Sequence, residues 1–295
     1  MSARHSLDAL NRATTAEFVA VLGDVFENAP WVAEATAAAR PFATVTALHD
    51  AMIRAVRSAS PEMRLALING HPELAGKVAR AGDMTDASKA EQGSLGLDKL
   101  SDAEFARFGE LNAAYRAKFS IPFIVCVRRH TRDSILATFA KRLANTRDHE
   151  IETALEEIGY ITRLRVVGKV DGPGLPKTDG HLSTHVLDTT NGRPAASVRI
   201  ELHEIGASAR ALVTTTTTNA DGRTDGPLLS RAPLRIGTYE LTFDIGTYFS
   251  VHDAPVSDPP YLGIVPVRFT ITEPEGHYHV PLLVSPWSYT TYRGS

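Results

Sequence analysis

The 295-residue sequence predicts two domains, an all-α helical bundle followed by an all-β antiparallel sandwich. Before residue 170, alanine, leucine, arginine and glutamate dominate with helical spacing of the apolar positions. Beyond it, threonine, valine and tyrosine dominate in short alternating runs, which is typical of strands. Residues 168–180 hold four glycines and two prolines without periodicity. We therefore predict a helical domain over 1–167, a linker over 168–180 and a sandwich over 181–295. The alternative for the glycine-rich stretch is a long surface loop within one domain.

Composition narrows the class of protein. Hydrophobic content of 43% and charged content of 22% are ordinary for a soluble globular protein. The net charge of −3 argues against a nucleic-acid surface or a polybasic membrane patch, and no stretch approaches the roughly 20 apolar residues of a membrane helix. The single cysteine, Cys126, lies in an apolar run, which predicts a buried and unreactive thiol. The N-terminal residues lack the apolar core of a secretory signal, so a cytoplasmic protein is expected.

Start and stop signals mark the helices of the first half. Residues 60–62 (Ser-Pro-Glu) predict a helix start, and Gly70 predicts the end of that helix. Pro72 suits the first turn of a new helix, which places His71 at or near its N-cap. The Ser-x-x-Glu capping box at residues 101–104 predicts another helix. Apolar spacing predicts further helices from residue 15, over 43–57, over 132–143 and over 147–165.

The second half alternates between apolar and polar residues. Val198, Ile200 and Leu202 share one face of a predicted strand. A threonine-rich strand over 212–218 ends in a turn at residues 219–222 (Asn-Ala-Asp-Gly). Further alternating runs cover 239–244 and 265–272. Strands at this spacing, without long helices between them, indicate an antiparallel sandwich.

Histidine-bearing segments mark a candidate site in the sandwich. His277 and His279 alternate along a predicted strand, so both imidazoles lie on one face. Residues 184–188 (Thr-His-Val-Leu-Asp), 221–223 (Asp-Gly-Arg) and 292–295 (Tyr-Arg-Gly-Ser) together resemble the 5-hydroxyisourate hydrolases, which are transthyretin-related enzymes of urate breakdown. The resemblance covers nearly all of the second half and implies a transthyretin-like sandwich.

The resemblance implies a catalytic set of His185, Arg223 and His279, with Tyr292 and Ser295 lining the site. Hydrolysis of a cyclic acyl-amide bond needs an activated water, a proton for the leaving nitrogen and positive charge for the oxyanion. Imidazole and guanidinium supply these without a metal. Either His279 or His185 would activate the water, and Arg223 would hold the ring and its developing charge.

Other interpretations of the same residues stay open at this point. The histidines would be ordinary strand residues, and Arg223 a solvated turn arginine, if the patterns are taken one at a time. A zinc site built from His185, His277 and His279 is a further alternative. The family's chemistry needs no metal, and we expect none.

The C-terminal tail is expected to be ordered because it belongs to the implied site. Ordering four residues costs backbone entropy of about 1–2 kcal/mol per residue. Tyr292 is expected to offset this with buried aromatic area, Arg293 by pairing with an acid and Ser295 through its carboxylate. Pro286 and Trp287 are expected to anchor the approach of the tail.

Three segments of the first half carry a second resemblance. Residues 71–77 (His-Pro-Glu-Leu-Ala-Gly-Lys), 88–92 (Ser-Lys-Ala-Glu-Gln) and 119–124 (Phe-Ser-Ile-Pro-Phe-Ile) resemble the 2-oxo-4-hydroxy-4-carboxy-5-ureidoimidazoline (OHCU) decarboxylases. In that family the third segment has Phe-Pro-Phe, and Ile121 replaces the first phenylalanine here.

The resemblance places the catalytic histidine and acid on His71 and Glu91. It places the residues that bind substrate on Pro72, Gln92, Ile124 and Arg165, with Arg163 as an alternative to Arg165. A capping histidine and a Ser88-x-x-Glu91 capping box are the structural alternatives. The protein has to orient a carboxylate, exclude water and deliver a proton to one face, and no cofactor is required.

The order of the two halves resembles the fused allantoin synthases, in which the decarboxylase precedes the hydrolase. This resemblance implies urate catabolism, in which 5-hydroxyisourate is hydrolysed and the product is decarboxylated to (S)-allantoin. The partners implied are small urate-derived substrates and other copies of the chain, in a homotetramer with hydrolase sites at subunit interfaces. A transthyretin-like ligand- or partner-binding protein is one alternative. A chain with one active domain, the other serving assembly, is the second.

Overall fold

The computed structural model describes residues 4–76, 85–97, 99–207, 209–252 and 256–294. The chain divides into two compact units. The first consists of Met1–Arg128 and Ile135–Thr178, and the second consists of Arg129–Ser134 and Asp179–Ser295. Helices occupy the first half and strands the second, which confirms the predicted fold class.

Nine α-helices are described before residue 170. They are α1 (Leu7–Arg12), α2 (Thr15–Leu22), α3 (Trp31–Ala37), α4 (Val45–Ser58), α5 (Pro61–Asn69), α6 (Asp86–Gly93), α7 (Asp102–Phe119), α8 (Arg132–Arg142) and α9 (Arg147–Lys169). A short 3₁₀ helix covers Val127–Arg129, and the two-residue strands β1 (His5–Ser6) and β2 (Val170–Asp171) pair in parallel.

Large apolar side chains form the core of the helical unit. On α4, Leu48, Met52 and Val56 are buried as one stripe, which confirms the apolar spacing predicted for this helix. Fully burying such a side chain stabilises the fold by about 1.5–3 kcal/mol. Around Tyr115 on α7, the rings of Phe119 and two other phenylalanines meet it edge-on. This aromatic core lies beside the segment that carries Ile124.

Two of the predicted helix ends differ from the structure. The capping box at residues 101–104 is confirmed, since both reciprocal hydrogen bonds are present. No helix begins at Pro72: residues 71–76 form bends and turns, so the prediction that His71 caps a new helix is wrong. The Ser88 capping box is also absent, because Thr85 caps α6 and accepts from the Ser88 amide. Glu91 lies within that helix, and its side chain is available for another role.

The predicted linker is partly ordered on the helical unit. Helix α9 continues to Lys169, and β2 pairs with β1. The amide of Val45 donates to the carbonyl of Pro173, and that of Thr46 donates to Gly174. These bonds fix residues 170–174 against the start of α4.

The second unit is a sandwich of short strands. They are β3 (His181–Ser183), β4 (Val186–Asp188), β5 (Arg193–Pro194), β6 (Arg199–Ile205), β7 (Arg210–Thr217), β8 (Gly237–Asp244), β9 (Ile264–Ile271), β10 (His277–His279), β11 (Leu282–Val284) and β12 (Tyr289–Thr291). One four-stranded sheet has the order β7-β6-β8-β9 and is antiparallel throughout. A short helix, α10 (Ile245–Ser250), follows β8 and was not predicted.

The other side of the sandwich is mixed. A four-stranded sheet has the order β12-β11-β4-β5, and β10 pairs separately with β3. The pairs β10–β3 and β11–β4 are parallel, so the expectation of purely antiparallel pairing holds only for the first sheet. Parallel pairing places residues 181–188 directly beside 277–284. The two histidine-bearing segments therefore lie next to each other.

None of the described helices has the length and apolarity needed to cross a membrane.

A buried histidine on α4 makes the stability of the helical unit depend on pH. His49 is 4% exposed, and its Nε2 lies 3.0 Å from the Thr162 hydroxyl. Burial, with a smaller contribution from Arg163, lowers the pKa of His49 to about 4. The unfolded chain therefore binds a proton between pH 6.5 and 4 that the folded chain does not. We therefore expect the free energy of unfolding to fall as the pH is lowered from 6.5 to 4, by at most about 3 kcal/mol for this group.

Urea unfolding at pH 7.5 and pH 5 measures the effect. His49→Gln should reduce the difference between the two pH values, whereas His149→Gln, at an exposed position on α9, should leave it unchanged. An equal pH dependence in wild type and His49→Gln would contradict the assignment.

Candidate active sites

The residues predicted for the first site surround one cavity in the helical unit. Its lining includes all six of them, namely His71, Pro72, Glu91, Gln92, Ile124 and Arg165, together with Leu74, Ser88, Phe123, Val125, Cys126, Val127, Arg128, Ile161 and Leu164. These residues come from the turn after α5, from α6, from the segment before the 3₁₀ helix and from α9. Arg163 is not among them, and its guanidinium lies over the Tyr160 ring.

His71 is held as a neutral imidazole with one nitrogen available. Its Nδ1 lies 2.9 Å from the Leu67 carbonyl at the end of α5. A carbonyl only accepts, so the proton is on Nδ1 and Nε2 carries the lone pair. Nε2 is buried and has no hydrogen-bond partner among the described residues. Burial lowers the pKa of His71 to about 4, against opposing contributions from the Leu67 bond and Glu27. Burial, rather than a helix N-terminus, is the main cause of the lowered pKa.

Arg165 projects from α9 into a ring of acceptors. Its Nε and Nη2 each donate to one oxygen of Glu91 at 2.9 Å, which is a bidentate ion pair. Nη2 also lies 3.4 Å from the Ser88 hydroxyl, one helical turn before Glu91 on α6. Glu91 and Arg165, the acid and the arginine predicted for this site, are therefore bound to each other in the wall of the cavity.

Glu27 is a residue of this cluster that the sequence did not reveal. It lies in the loop after α2, is 3% exposed and accepts from Arg165 Nη1 at 2.9 Å. The Val25 carbonyl accepts from the same nitrogen at 3.3 Å. A glutamate within the apolar run that includes Val25 and Phe26 was a possible signal, because an unpaired carboxylate is rarely buried.

A second buried ion pair supports the wall of the cavity. Arg142 donates through Nε to Glu150 at 2.8 Å and through Nη1 to the Ile124 carbonyl at 2.6 Å. Tyr115 donates to the same carboxylate, and Phe123 lies below the Arg142 guanidinium. On the cavity side, the Gln92 side-chain oxygen accepts from the Ala75 amide at 3.0 Å. Hydrogen bonds to Arg142 and to Gln92 thus fix the segment before the 3₁₀ helix and the turn after His71, respectively.

This cavity combines three chemical functions. The neutral imidazole of His71 can accept or return a proton, and Arg165 can bind a carboxylate. Another carboxylate can replace Glu91 on Arg165, which would free Glu91 to bind a different group. A group of this kind suits reactions in which an anionic substrate is oriented and a proton is moved over a short distance.

In the second unit, two neighbouring strands are interrupted at the same level. The break between β3 and β4 contains Thr184 and His185, and the break between β10 and β11 contains Val280 and Pro281. Pro281 has no amide proton, so the ladder cannot continue through it. Around the break, the Val280 amide donates to the Ser183 carbonyl and the Leu282 amide to His185. The interruption directs the side chains of His185 and His279 toward each other.

These two histidines form a hydrogen-bonded pair. Nδ1 of His185 lies 2.7 Å from Nε2 of His279, and the ring planes are inclined by 18°. On the far side, His279 Nδ1 lies 2.9 Å from the Ser183 hydroxyl, which also lies 3.4 Å from His277 Nε2. The shared contact confirms that His277 and His279 project from the same face of β10. Among the described residues, both nitrogens of His279 are therefore hydrogen-bonded, whereas only one nitrogen of His185 is.

Arg223 lies beside the histidine pair. Its backbone bridges to His185, and Gly222 before it has φ of +68° in a turn where a Cβ would meet the Val186 carbonyl at 2.4 Å. Burial and then the charge of Arg223 lower the pKa of His185. Burial, followed by the charges of His185, Arg223 and His277, lowers that of His279. Both imidazoles are thereby kept neutral next to a cation.

The terminal tail reaches this site through Gly294. The Gly294 amide donates to the His279 carbonyl at 2.9 Å, and a Cβ at this position would lie 2.7 Å from the His279 ring. Arg293 lies 3.9 Å from Glu273, the expected acidic partner, and over the Tyr278 ring. The tail is ordered by close contact between backbone and ring.

One expectation about the tail is wrong, one is met in part, and one lies outside the described residues. Tyr292 is 54% exposed, so it does not supply the buried aromatic area that was expected. Of the two residues expected to anchor the approach of the tail, Pro286 is buried, whereas Trp287 is 53% exposed. Both aromatic side chains lie outside edge strand β12 (Tyr289–Thr291), Trp287 before it and Tyr292 after it. Ser295 lies outside the described residues.

A zinc site would need imidazole nitrogens of His185, His277 and His279 directed at one shared point. Instead, the facing nitrogens of His185 and His279 are hydrogen-bonded to each other. Within the described ranges, no cluster of three or more histidine, cysteine, aspartate or glutamate residues is arranged to hold a metal ion.

Fold and sites together describe a two-domain protein with a separate candidate acid–base site in each half, and comparison with known proteins identifies the family of both halves. The OHCU decarboxylase family matches residues 11–167, and the HIUase/transthyretin family matches residues 182–294. The chain belongs to the OHCU decarboxylase family through its first half and to the HIUase/transthyretin family through its second.

Individual relatives agree with this division. The 5-hydroxyisourate hydrolase of Deinococcus radiodurans is 54% identical over 118 residues, which are 39% of this chain and 98% of that protein. The 2-oxo-4-hydroxy-4-carboxy-5-ureidoimidazoline decarboxylase of Haloferax volcanii is 40% identical over 161 residues, which are 55% of this chain and 94% of that one. A crystal structure of (S)-allantoin synthase is 36% identical, with a TM-score of 0.54, and the match covers 99% of this chain and 100% of that chain.

The close approach of Gly294 to His279 yields a test of the second site. In Gly294→Ala, the added methyl group would displace either the tail or the His279 ring. Because displacement of a catalytic group by about 1 Å can cost on the order of 100-fold in rate, we expect a loss of that size in 5-hydroxyisourate hydrolysis. Stopped-flow absorbance measures it.

The matched control is Gly263→Ala, since a Cβ at Gly263 meets no atom within 4 Å. It should retain wild-type kinetics. Full activity in Gly294→Ala would show that the tail contact does not position His279.

Proposed function

We propose that the chain is a bifunctional enzyme of urate catabolism that hydrolyses 5-hydroxyisourate and decarboxylates the product to (S)-allantoin. The observation that carries the proposal is the presence of two complete sets of acid–base and cationic groups, one in each family domain of a single chain. The (S)-allantoin synthase structure, which matches over the full length, has the same two halves.

In the hydrolase domain, His185 is the better placed of the two histidines to activate water. His279 uses one nitrogen on Ser183 and the other on His185, whereas Nε2 of His185 has no hydrogen bond among the described residues. We assign His185 as the base and His279 as the group that orients it and shares the proton. Arg223 stabilises the oxyanion as water adds to the cyclic acyl carbon. The proton then passes to the leaving nitrogen, and the ring opens.

In the decarboxylase domain, Arg165 binds the carboxylate of the substrate and Gln92 and the wall around Ile124 hold its ring. The bond to the carboxyl carbon breaks and carbon dioxide leaves. The electron pair of that bond forms a C=C bond within the imidazoline ring, and the π pair of the adjacent C=N bond moves to the ring nitrogen, which takes up a proton from solvent. The enol that remains becomes allantoin when its hydroxyl proton is lost and a proton is added to the neighbouring ring carbon.

His71 performs this last transfer. Its neutral Nε2 can accept the hydroxyl proton and return it to carbon, with Glu91 beside it to hold the substrate hydroxyl or ureido group. Because His71 approaches from one wall of the cavity, the proton reaches one face of the ring. Single-face delivery yields a single enantiomer, in keeping with formation of (S)-allantoin.

The two activities should be separable by substitution. His71→Asn should reduce decarboxylation by about 10²–10⁴-fold while 5-hydroxyisourate hydrolysis continues, and His279→Asn should do the reverse. The ultraviolet absorbance of 5-hydroxyisourate and the circular dichroism of (S)-allantoin follow the two steps. An equimolar mixture of the two variants should restore complete conversion, because the intermediate diffuses between them.

Three outcomes would reject parts of this function. Wild-type protein that leaves 5-hydroxyisourate at its spontaneous rate would favour a ligand-binding role for the sandwich. Hydrolysis without accelerated decarboxylation would leave the helical unit an assembly domain. Loss of both steps in either single variant would contradict two independent sites.

The proposal includes self-association as a homotetramer with hydrolase sites at subunit interfaces, and a cytoplasmic location. Support for assembly comes from three exposed aromatic side chains, Tyr289 on edge strand β12 and Trp287 and Tyr292 on either side of that strand. Exposed aromatic side chains on an open strand edge are favourable contacts for another copy. Light scattering at assay concentration should give four times the mass of the chain, and an active monomer would rule this out.

A further inference from the structure

Glu27 touches the decarboxylase cluster from the side away from the cavity. It is absent from the lining of the cavity, whereas Glu91 and Arg165 are part of it. Both carboxylate oxygens of Glu27 are used: Oε2 accepts from Arg165 Nη1 at 2.9 Å, and Oε1 accepts from the Thr85 hydroxyl at 2.6 Å. Glu27 therefore connects two different elements behind the site.

The Thr85 contact reaches the helix that carries the other site residues. Thr85 is the N-cap of α6, and its hydroxyl also accepts from the Ser88 amide. Helix α6 carries Glu91 and Gln92, both at the cavity. One carboxylate thus ties the start of α6 to the arginine of α9.

Arg165 has two carboxylate partners that differ in accessibility. The side chain of Glu27 is 2% exposed and that of Glu91 is 19% exposed. A substrate carboxylate that enters the cavity meets the face of Arg165 that Glu91 occupies. Glu27 is out of its reach and held by a second bond.

We propose that Glu27 is a positioning residue of the decarboxylase, which holds Arg165 and the N-terminus of α6 from behind while the substrate carboxylate replaces Glu91 on Arg165. The inference rests on the decarboxylase function proposed above. In the free enzyme Arg165 is neutralised by both glutamates. In the complex it keeps Glu27 and gains the substrate, and Glu91 is released to contact the substrate.

The exchange depends on Glu27 because a buried guanidinium is costly without a counter-ion. If Glu91 were the only partner, each departure of Glu91 would leave Arg165 unpaired until the substrate had arrived. With Glu27 in place, one partner persists through the exchange. Burial raises the pKa of Glu27, but the Thr85 bond and Arg165 outweigh that effect and lower it, so the residue stays ionised.

Glu27→Gln tests the proposal, with Asp24→Asn as a matched control. Asp24 lies in the same loop and pairs with Lys169 of the same helix at 2.8 Å, but it does not reach Arg165. We expect Glu27→Gln to lose about 10- to 100-fold in kcat/KM for decarboxylation, a loss of the size caused by removing an outer-shell partner of a metal ligand. Most of the loss should lie in KM, because carboxylate binding is affected. Asp24→Asn should retain wild-type values.

A double-mutant cycle shows whether Glu27 acts through Arg165. In an Arg165→Lys background, Glu27→Gln should cause little further loss, since the geometry that it maintains is already absent. Equal losses in both backgrounds would overturn the proposal, as would wild-type kinetics in Glu27→Gln or an equal loss in Asp24→Asn. If Glu27→Gln fails to fold, Thr85→Val decides: a smaller loss, again mainly in KM, supports the proposal, and unchanged kinetics overturns it.

Hydrolysis of 5-hydroxyisourate by the same preparations serves as the internal reference and should stay unchanged. Wild-type chain that does not accelerate decarboxylation would reject the proposed function itself. The Glu27 inference alone would fail if the wild-type chain accelerates decarboxylation and Glu27→Gln has the same kinetics.

Discussion

A guanidinium in an apolar interior has to be surrounded by acceptors, and the helical unit depends on this constraint at Arg165. The arginine collects Glu27, Ser88 and Glu91 from two other segments of the chain. Each acceptor brings its backbone with it, so the loop after α2, helix α6 and helix α9 meet at one point. The cavity exists where these segments converge. The same constraint applies to the buried Arg142–Glu150 pair, in which Arg142 also binds the carbonyl of the cavity residue Ile124.

The two candidate sites keep their imidazoles neutral in different ways. In the first, His71 is enclosed, and the apolar surroundings disfavour its charge more than nearby Glu27 favours it. In the second, His185 and His279 are only partly buried. The charge of Arg223 adds to the effect of burial on the pKa of both, and the charges of His185 and His277 add to it on that of His279. An enclosed base suits a reaction from which water is excluded. A partly open pair suits one in which water is the reactant.

Backbone features position the second site as much as side chains do. Pro281 breaks a parallel strand pair, and the break is where His185 meets His279. Gly294 brings the tail within contact of the His279 ring because it lacks a Cβ. Proline has no amide proton and so interrupts the strand ladder, and glycine has no side chain and so allows the backbone to approach the ring.

Local signals in the sequence determined the elements of this protein. The change of apolar period near residue 170, the stripe on α4, the capping box before α7 and the alternation of His277 and His279 depend on neighbours within a few residues, so they are readable without the fold. The family motifs located both sites for the same reason, since His71 and Glu91, or His185 and Arg223, stand in short recognisable segments. Tertiary structure decided what those residues touch. It placed His71 after a helix rather than before one, left Tyr292 exposed just after an edge strand and paired 181–188 with 277–284 in parallel. It also brought Glu27 to Arg165 across 138 positions. Contacts at such separation depend on the packing of the whole unit, because a buried charge is costly unless a counter-charge lies beside it. No local sequence pattern indicates which residue will supply that counter-charge.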